Sequence, residues 1–170
     1  MGVVVVLDSC TDQTTAIAMR HRVDICVVKA RNVGAARAAG AHAMLAAGAR
    51  WLAFTDADTN VSATWLSSQL AIGADAVCGS VEVVDWSPHG EYAQLIEAHF
   101  LETYFDRDGH RHIHGANLGV SAPAYLRAGG FQALACSEDR TWSARSRPAA
   151  PASPGVRLPA SRRVPARTVA

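Results

Sequence analysis

The sequence has few aromatic residues, no C-x-x-C pair and no long hydrophobic run. Aromatic residues make up 6% of the 170 positions, although hydrophobic residues as a whole make up 49%. No segment reaches the roughly 18 apolar residues of a membrane span. The apolar run after Met1 also lacks the preceding basic region of a secretory signal. We therefore expect a cytoplasmic protein with one domain and a sizeable core.

The four cysteines are also widely spaced. They occupy positions Cys10, Cys26, Cys78 and Cys136. Cys26 and Cys78 lie in apolar stretches, which is typical of small core residues. A disulfide or a metal role is the alternative interpretation.

Acidic residues are absent from the last part of the chain. Residues 141–170 hold six Arg and five of the seven prolines, with no periodic apolar face. Such a segment cannot bury enough surface to offset the entropy of ordering, so we expect a disordered tail. Residues 1–140 then carry all fifteen acids against ten Lys and Arg, a formal charge of −5, which argues against a nucleic-acid partner. A basic tail can contact anionic lipid heads, so peripheral association with the inner face of the membrane is an alternative role for it.

Short apolar runs alternate with helical stretches along the remaining chain. Continuous β-branched or apolar runs predict strands, and Ala-rich or capped stretches predict helices. The predicted strands cover 3–8, 23–30, 50–58 and 74–84, and the predicted helices include 34–49, 62–73 and 89–108. This alternation indicates an α/β fold with a mostly parallel sheet flanked by helices.

Carboxylates follow two of the predicted strands. Asp8 ends the first strand, and Asp56 and Asp58 follow the apolar part of the third. Ligands of open α/β sheets bind at the carboxyl ends of the strands. Two carboxylates at i and i+2 on extended backbone point the same way and can share a hard cation. The alternative is that Asp56 and Asp58 cap a turn or the next helix.

Five short motifs occur in an order that resembles the family 2 glycosyltransferases of the Rossmann-like GT-A fold. These motifs are "VVVVLDSCTDQT" at 3–14, "ARAAG" at 36–40, "TDADT" at 55–59, "HGANLGVSAPAYLRAGGF" at 114–131 and "SEDR" at 137–140. Leu7 replaces the first Asp of the family's nucleotide-binding pattern, Ser9 replaces its glycine, and Ala38 replaces an Asn. The resemblance covers residues 3–140.

The resemblance implies transfer of a sugar from a nucleotide diphosphate sugar to an acceptor hydroxyl. Asp8 matches the family residue that holds the base, and Asp56 is expected to hold the ribose or share the metal. Asp58 is the expected ligand of Mg²⁺ or Mn²⁺. Arg37 lies near the start of a predicted helix, where it can contact phosphate. A solvated helix arginine is the alternative for Arg37.

The second half of the motif set implies the catalytic and acceptor residues. Asp139 is the expected base, which takes the acceptor's proton in an inverting transfer. Glu138 is expected to orient the acceptor or the loop, although a pair of acids at a helix start is the alternative. His114 and Asn117 are expected to line the donor-sugar or acceptor pocket. Alternation puts His110, His112 and His114 on one face of an extended segment, where a metal site is a further alternative.

The family pattern normally begins with one more strand, which would precede "VVVVLD", and continues after the E-D motif with a helix rich in Leu and Val. We therefore expect residues 1–140 to form a partial GT-A domain with its first strand missing, residues 141–170 to form the tail, and transferase activity to be weak or absent. The acceptor, whether glycan, lipid or small molecule, is not specified. A non-catalytic nucleotide-binding module and a metal-dependent nucleotidyltransferase are the alternative functions.

Overall fold

The computed structural model describes residues 1–107, 110 and 112–134, together with the backbone of 160–161 and 166–169. The chain divides into two units. The first unit comprises residues 1–52 and 121–146, and the second comprises residues 53–120 and 147–170. Within the described parts of both units, no helix combines the length and the apolar character that a membrane span requires.

The first unit is built on two parallel strands. Strand β1 (Val4–Asp8) pairs with β2 (Asp24–Val28), and the short helix α1 (Thr14–Ala18) connects them. Helix α2 (Val33–Ala46) packs on β1. A Cβ atom at Gly40 would lie 2.8 Å from Cγ2 of Val6, so this glycine permits the close approach of helix and strand. The parallel strand–helix–strand arrangement confirms the predicted α/β class.

Helix α2 begins and ends at residues whose chemistry explains its limits. Asn32 precedes it with extended backbone, and its side chain accepts a hydrogen bond from the Ala35 N–H at 2.9 Å. This contact satisfies one of the unpaired N–H groups of the first turn. Gly48 lies just beyond the helix with φ of 83°, a conformation that glycine adopts without strain. The observed limits lie close to those of the helix that the sequence predicts at 34–49.

Strand β3 (Trp51–Phe54) carries the chain from the first unit into the second. The elements that follow are β4 (Thr59–Val61), α3 (Trp65–Ala71), β5 (Ala76–Cys78), β6 (Val81–Asp85), α4 (Ala93–Thr103), β7 (Leu118–Ser121) and α5 (Ala122–Arg127). One sheet has the order β3-β7-β5, with β5 and β7 antiparallel. Val77, Leu118 and Val120 are fully buried and form the centre of this sheet's core.

Two elements of the second unit differ from their predicted form. The predicted strand at 74–84 is divided into β5 and β6, with Gly79 and Ser80 between them. The predicted helix at 89–108 begins as a 3₁₀ helix over Ser87–Tyr92 and becomes α-helical only at Ala93. Gly90, at φ of 57° and ψ of −128°, interrupts the helical backbone within the 3₁₀ segment.

The predicted tail contains two stretches of described backbone. Strand β8 (Ala160–Ser161) pairs with β5, and β9 (Ala166–Val169) lies between β4 and β6. Here the structure has extended backbone where the sequence predicts no order, because unpaired strand edges accept further backbone partners. The prediction of disorder for the rest of the tail falls on residues outside those that the structure describes.

Candidate functional site

Asp8, at the end of β1, holds the turn that leads into α2. Its Oδ1 accepts hydrogen bonds from the backbone N–H groups of Ala30 and Arg31, each at 2.8 Å. Its Oδ2 accepts one from the Asn32 N–H at 2.7 Å. The Ser9 hydroxyl donates to Oδ1 at 3.0 Å, which is the fourth hydrogen bond to the carboxylate. The carboxylate therefore fixes a turn in which Arg31 has a φ of 48°.

These contacts change both the ionisation and the interpretation of Asp8. The backbone N–H of Asn32, followed by those of Arg31 and Ala30, holds the pKa of the Asp8 carboxyl below its usual value. Both oxygens already accept hydrogen bonds within the chain, so a nucleobase would have to share or replace these donors. The base-holding role that the sequence predicts for Asp8 stays a prediction, and the structure adds a positioning role.

We expect Asp8→Asn to lower the midpoint of thermal unfolding at neutral pH, because an amide loses the charge and one acceptor atom. The folded-state pKa of Asp8 lies below the unfolded value, so its contribution is present at neutral pH. It is lost as the pH falls through the folded-state pKa. The difference between variant and parent should therefore shrink as the pH is lowered below 4, roughly the pKa of a free aspartate. Calorimetry across this pH range is the measurement.

Asp24→Asn is the matched control for Asp8→Asn. Asp24 is exposed at the start of β2, and the substitution removes the same charge. A midpoint for Asp8→Asn that equals that of Asp24→Asn at every pH would contradict the role of Asp8 in holding the turn before α2.

Asn32 connects this turn to a distant part of the first unit. Its Oδ1 caps α2, and its Nδ2 donates to the carbonyl oxygen of Leu134 at 2.7 Å. One turn further along α2, the guanidinium of Arg37 lies over the ring of Phe131, with Cζ 5.9 Å from the ring centroid. The segment around residues 131–134 is thus held against the start of α2 at two points. The phosphate contact expected of Arg37 stays a prediction.

The D-x-D motif lies on a turn directly after β3. The Thr59 N–H donates to the Asp56 carbonyl oxygen at 3.1 Å, which closes a four-residue turn over Asp56–Thr59. The assumption of extended backbone for this pair is therefore wrong. Asp58 is exposed, and the Thr59 hydroxyl approaches its Oδ1 at 3.4 Å. The metal and ribose roles expected of Asp56 and Asp58 stay predictions.

Asn117 is fully buried directly before β7 and organises the core of the second unit. Its Oδ1 accepts from the Trp65 indole N–H at 2.8 Å and lies 3.4 Å from Nε2 of Gln69. Its Nδ2 donates to the Ser80 carbonyl oxygen at 2.8 Å. A Cβ atom at Gly79 would overlap the amide of Asn117. The pocket-lining role expected of Asn117 stays a prediction, because the described contacts of its side chain are all internal.

The three alternate histidines stack as a ladder. The rings of His110 and His112 are 5.8 Å apart between centroids, and those of His112 and His114 are 6.0 Å apart, in both cases nearly parallel. The predicted placement on one face is therefore confirmed. Tyr104 extends the ladder, with its ring 4.3 Å from that of His112 and 5.7 Å from that of His114. The sugar-pocket role expected of His114 stays a prediction.

His112 accepts a hydrogen bond at Nε2 from the Phe105 N–H at 3.0 Å, so its neutral form carries the proton at Nδ1. Burial, together with the neighbouring His110, lowers the pKa of His112. The rings of His110, His112 and His114 are stacked face to face. In the part of the chain that the structure describes, no group of three or more His, Cys, Asp or Glu side chains is arranged to hold a metal ion. The three-histidine metal site therefore gains no support.

Two of the predicted site residues cannot be placed. Glu138 and Asp139 lie outside the described residues, so their roles rest on the sequence alone. The sequence reasoning in turn missed Asn32, although an Asn directly before an Ala-rich helix is a recognised N-cap signal. It also missed Trp65 and Gln69, which are one helical turn apart on α3 and both contact Asn117.

A parallel strand–helix–strand unit whose first strand ends at a carboxylate is typical of nucleotide-binding α/β domains. The chain belongs to glycosyl transferase family 2, because the model of that family matches residues 2–126. None of the curated proteins compared with the chain matches it.

Two solved structures are similar in fold. One is the mannosyltransferase PcManGT from Pyrobaculum calidifontis in complex with GDP-Man and Mn²⁺, at 19% identity and a TM-score of 0.60. The match covers 98% of this chain but 47% of the mannosyltransferase, so the chain spans about half the length of that protein. The other is A197 from STIV, at 14% identity and a TM-score of 0.51, with 96% of this chain and 83% of A197 covered.

Proposed function

We propose that the protein transfers a sugar from a nucleotide diphosphate sugar to an acceptor hydroxyl, with a divalent cation and with inversion at the anomeric carbon. The observation that carries this proposal is the D-x-D turn at the end of β3 in a member of glycosyl transferase family 2. The GDP-Man and Mn²⁺ in the complex of PcManGT support both the class of donor and the use of a metal.

The residues of the D-x-D turn suit a hard divalent cation. Mg²⁺ and Mn²⁺ prefer oxygen ligands, and Mg²⁺ is usually bound by one or two carboxylates, with substrate phosphates and water completing the shell. Asp58 is exposed on the turn and offers such a carboxylate, and Asp56 offers a second. When bound, the cation would neutralise charge that develops on the leaving diphosphate.

The remaining roles belong to the chain's own residues. Asp139 accepts the proton of the acceptor hydroxyl as that oxygen attacks the anomeric carbon. The bond between the anomeric carbon and the diphosphate oxygen breaks, and its electron pair leaves with the nucleoside diphosphate. Glu138 orients the acceptor. Arg37 donates a charge-assisted hydrogen bond to a phosphate oxygen of the nucleotide.

Analysis of reaction products tests this proposal. The chain is incubated with Mn²⁺ and a panel of nucleotide sugars that includes GDP-mannose, and separately with sugar phosphates and nucleoside triphosphates. Release of sugar and nucleoside diphosphate in the first reaction supports the transferase. Pyrophosphate in the second reaction would instead indicate a nucleotidyltransferase. Tight binding without any product would indicate a nucleotide-binding module.

We expect Asp58→Ala to remove the Mn²⁺-dependent part of nucleotide affinity and to leave the fold intact, because the side chain is exposed on a turn. Titration calorimetry with GDP and UDP, each with Mn²⁺ and with EDTA, is the measurement. Asp24→Ala, which removes an exposed carboxylate from the first unit, is the control and should behave as the parent. An Asp58→Ala variant whose nucleotide affinity rises with Mn²⁺ as much as that of the parent would contradict the assignment of Asp58 as a metal ligand.

A further inference from the structure

The contact between Arg37 and Phe131 has a geometry that suits recognition of phosphate. The guanidinium carbon lies 5.9 Å from the ring centroid, within the range of a cation–π contact. All five N–H donors of arginine lie in the guanidinium plane and point outward along it. A cation–π contact with an aromatic ring restricts the guanidinium without being a hydrogen bond, so it is compatible with donation from these N–H groups to a ligand.

The ring of Phe131 is itself held firmly. Only 6% of this residue is exposed, and the ring packs edge-on against that of Tyr125, at 5.9 Å between centroids. The hydroxyl oxygen of Tyr125 also accepts a hydrogen bond from the Phe131 N–H at 3.2 Å. Gly129 and Gly130, which directly precede Phe131, have φ values of 76° and 68°. A Cβ atom at Gly130 would lie only 3.1–3.2 Å from side-chain atoms of Tyr125.

The two partners of this contact come from separate parts of the first unit. Arg37 lies on α2, whereas Phe131 follows the double-glycine turn after α5. The hydrogen bond from Asn32 Nδ2 to the Leu134 carbonyl oxygen keeps the segment after Phe131 beside the start of α2. The ring is therefore a platform whose position relative to Arg37 is set by the backbone on both sides.

We propose that Phe131 is a positioning residue, which holds the guanidinium plane of Arg37 so that its paired N–H groups meet a phosphate of the nucleotide. This inference rests on the proposed function, since it requires a nucleotide ligand with phosphates. An arginine that is already oriented loses less side-chain entropy when it binds, and a planar fork matches two phosphate oxygens at once. Phe131 thus acts through Arg37 and needs no contact of its own with the ligand.

The test separates the contribution of the phosphates from that of the base. Affinities for GDP and UDP, and for guanosine and uridine, are measured by titration calorimetry in the presence of Mn²⁺. The ratio of nucleoside Kd to diphosphate Kd isolates the phosphate contribution. We expect Phe131→Leu to lower this ratio about 3- to 10-fold and to leave the nucleoside Kd unchanged. Phe131→Tyr, which keeps the aromatic ring, should have the same ratio as the parent.

A double substitution shows whether Phe131 acts through Arg37. Arg37→Ala should lower the ratio at least as far as Phe131→Leu does, and adding Phe131→Leu to Arg37→Ala should lower it no further. Arg37→Lys keeps the charge but not the plane, so it should behave like Arg37→Ala. This last variant leaves the core ring untouched and tests the inference even where Phe131→Leu fails to fold.

Tyr125→Phe is the structural control, because it removes the hydroxyl that Phe131 N–H contacts and keeps the supporting ring. We expect it to lower the unfolding midpoint without a change in the ratio. A parental ratio in Phe131→Leu or in Arg37→Lys would overturn the positioning role alone. A parental chain that binds GDP and UDP no more tightly than the nucleosides would instead contradict the proposed function.

Discussion

Asn117→Leu is expected to destabilise the protein by about 3–5 kcal/mol, because it removes a side chain that forms hydrogen bonds with three groups of the core. The Trp65 indole N–H and the Ser80 carbonyl oxygen each lose a partner at 2.8 Å, and Gln69 loses a weaker one. Each buried group left without its hydrogen bond costs about 1–3 kcal/mol. Such a loss is a large part of the roughly 5–15 kcal/mol that stabilises a typical domain.

Urea unfolding followed by circular dichroism measures this effect. Asn60→Leu is the matched control, since Asn60 is exposed on β4 and its replacement should change stability by less than about 0.5 kcal/mol. An Asn117→Leu variant that unfolds at the parental urea concentration, but no longer binds a nucleotide sugar, would contradict the core role. That result would favour the pocket-lining role that the sequence predicts.

Asp139→Asn is expected to lower the rate of sugar transfer by about 10²- to 10⁴-fold at unchanged donor affinity. An amide keeps the size of the side chain but cannot accept the acceptor's proton. This expectation rests on the match of "SEDR" to the family's E-D motif, because Asp139 lies outside the described residues.

Transfer is measured as release of nucleoside diphosphate in the presence of acceptor, and donor binding is measured separately by titration. Glu138→Gln is the control in the neighbouring position and should lower the rate less than Asp139→Asn does. A rate for Asp139→Asn that is close to the parental rate would show that the base is elsewhere.

The elements that the sequence predicts well are those fixed by local pattern. The β-branched run before Asp8 forms β1, the Ala-rich stretch forms α2, and the alternate histidines stack on one face. In each case the residues within a few positions decide the conformation. The class of fold followed from the alternation of these elements.

The features that the sequence did not predict depend on contacts between distant residues. The predicted strand at 74–84 is interrupted at Gly79 and Ser80, because the buried amide of Asn117 lies directly beside Gly79 and donates a hydrogen bond to the Ser80 carbonyl oxygen. The hydrogen bonds from the backbone to Asp8 depend equally on the turn after β2. A carboxylate at a strand end looks the same in sequence whether it binds a ligand or its own chain.

The central claim is that the chain binds a nucleotide diphosphate sugar through a divalent cation at the D-x-D turn. Titration calorimetry of the unmodified chain with GDP-mannose and other nucleotide sugars, in the presence of Mn²⁺ and then of EDTA, tests it most directly. We predict that at least one nucleotide sugar binds with Mn²⁺ and that EDTA weakens this binding at least tenfold. Binding that is equally tight in EDTA, or no binding of any nucleotide sugar with Mn²⁺, would contradict the claim.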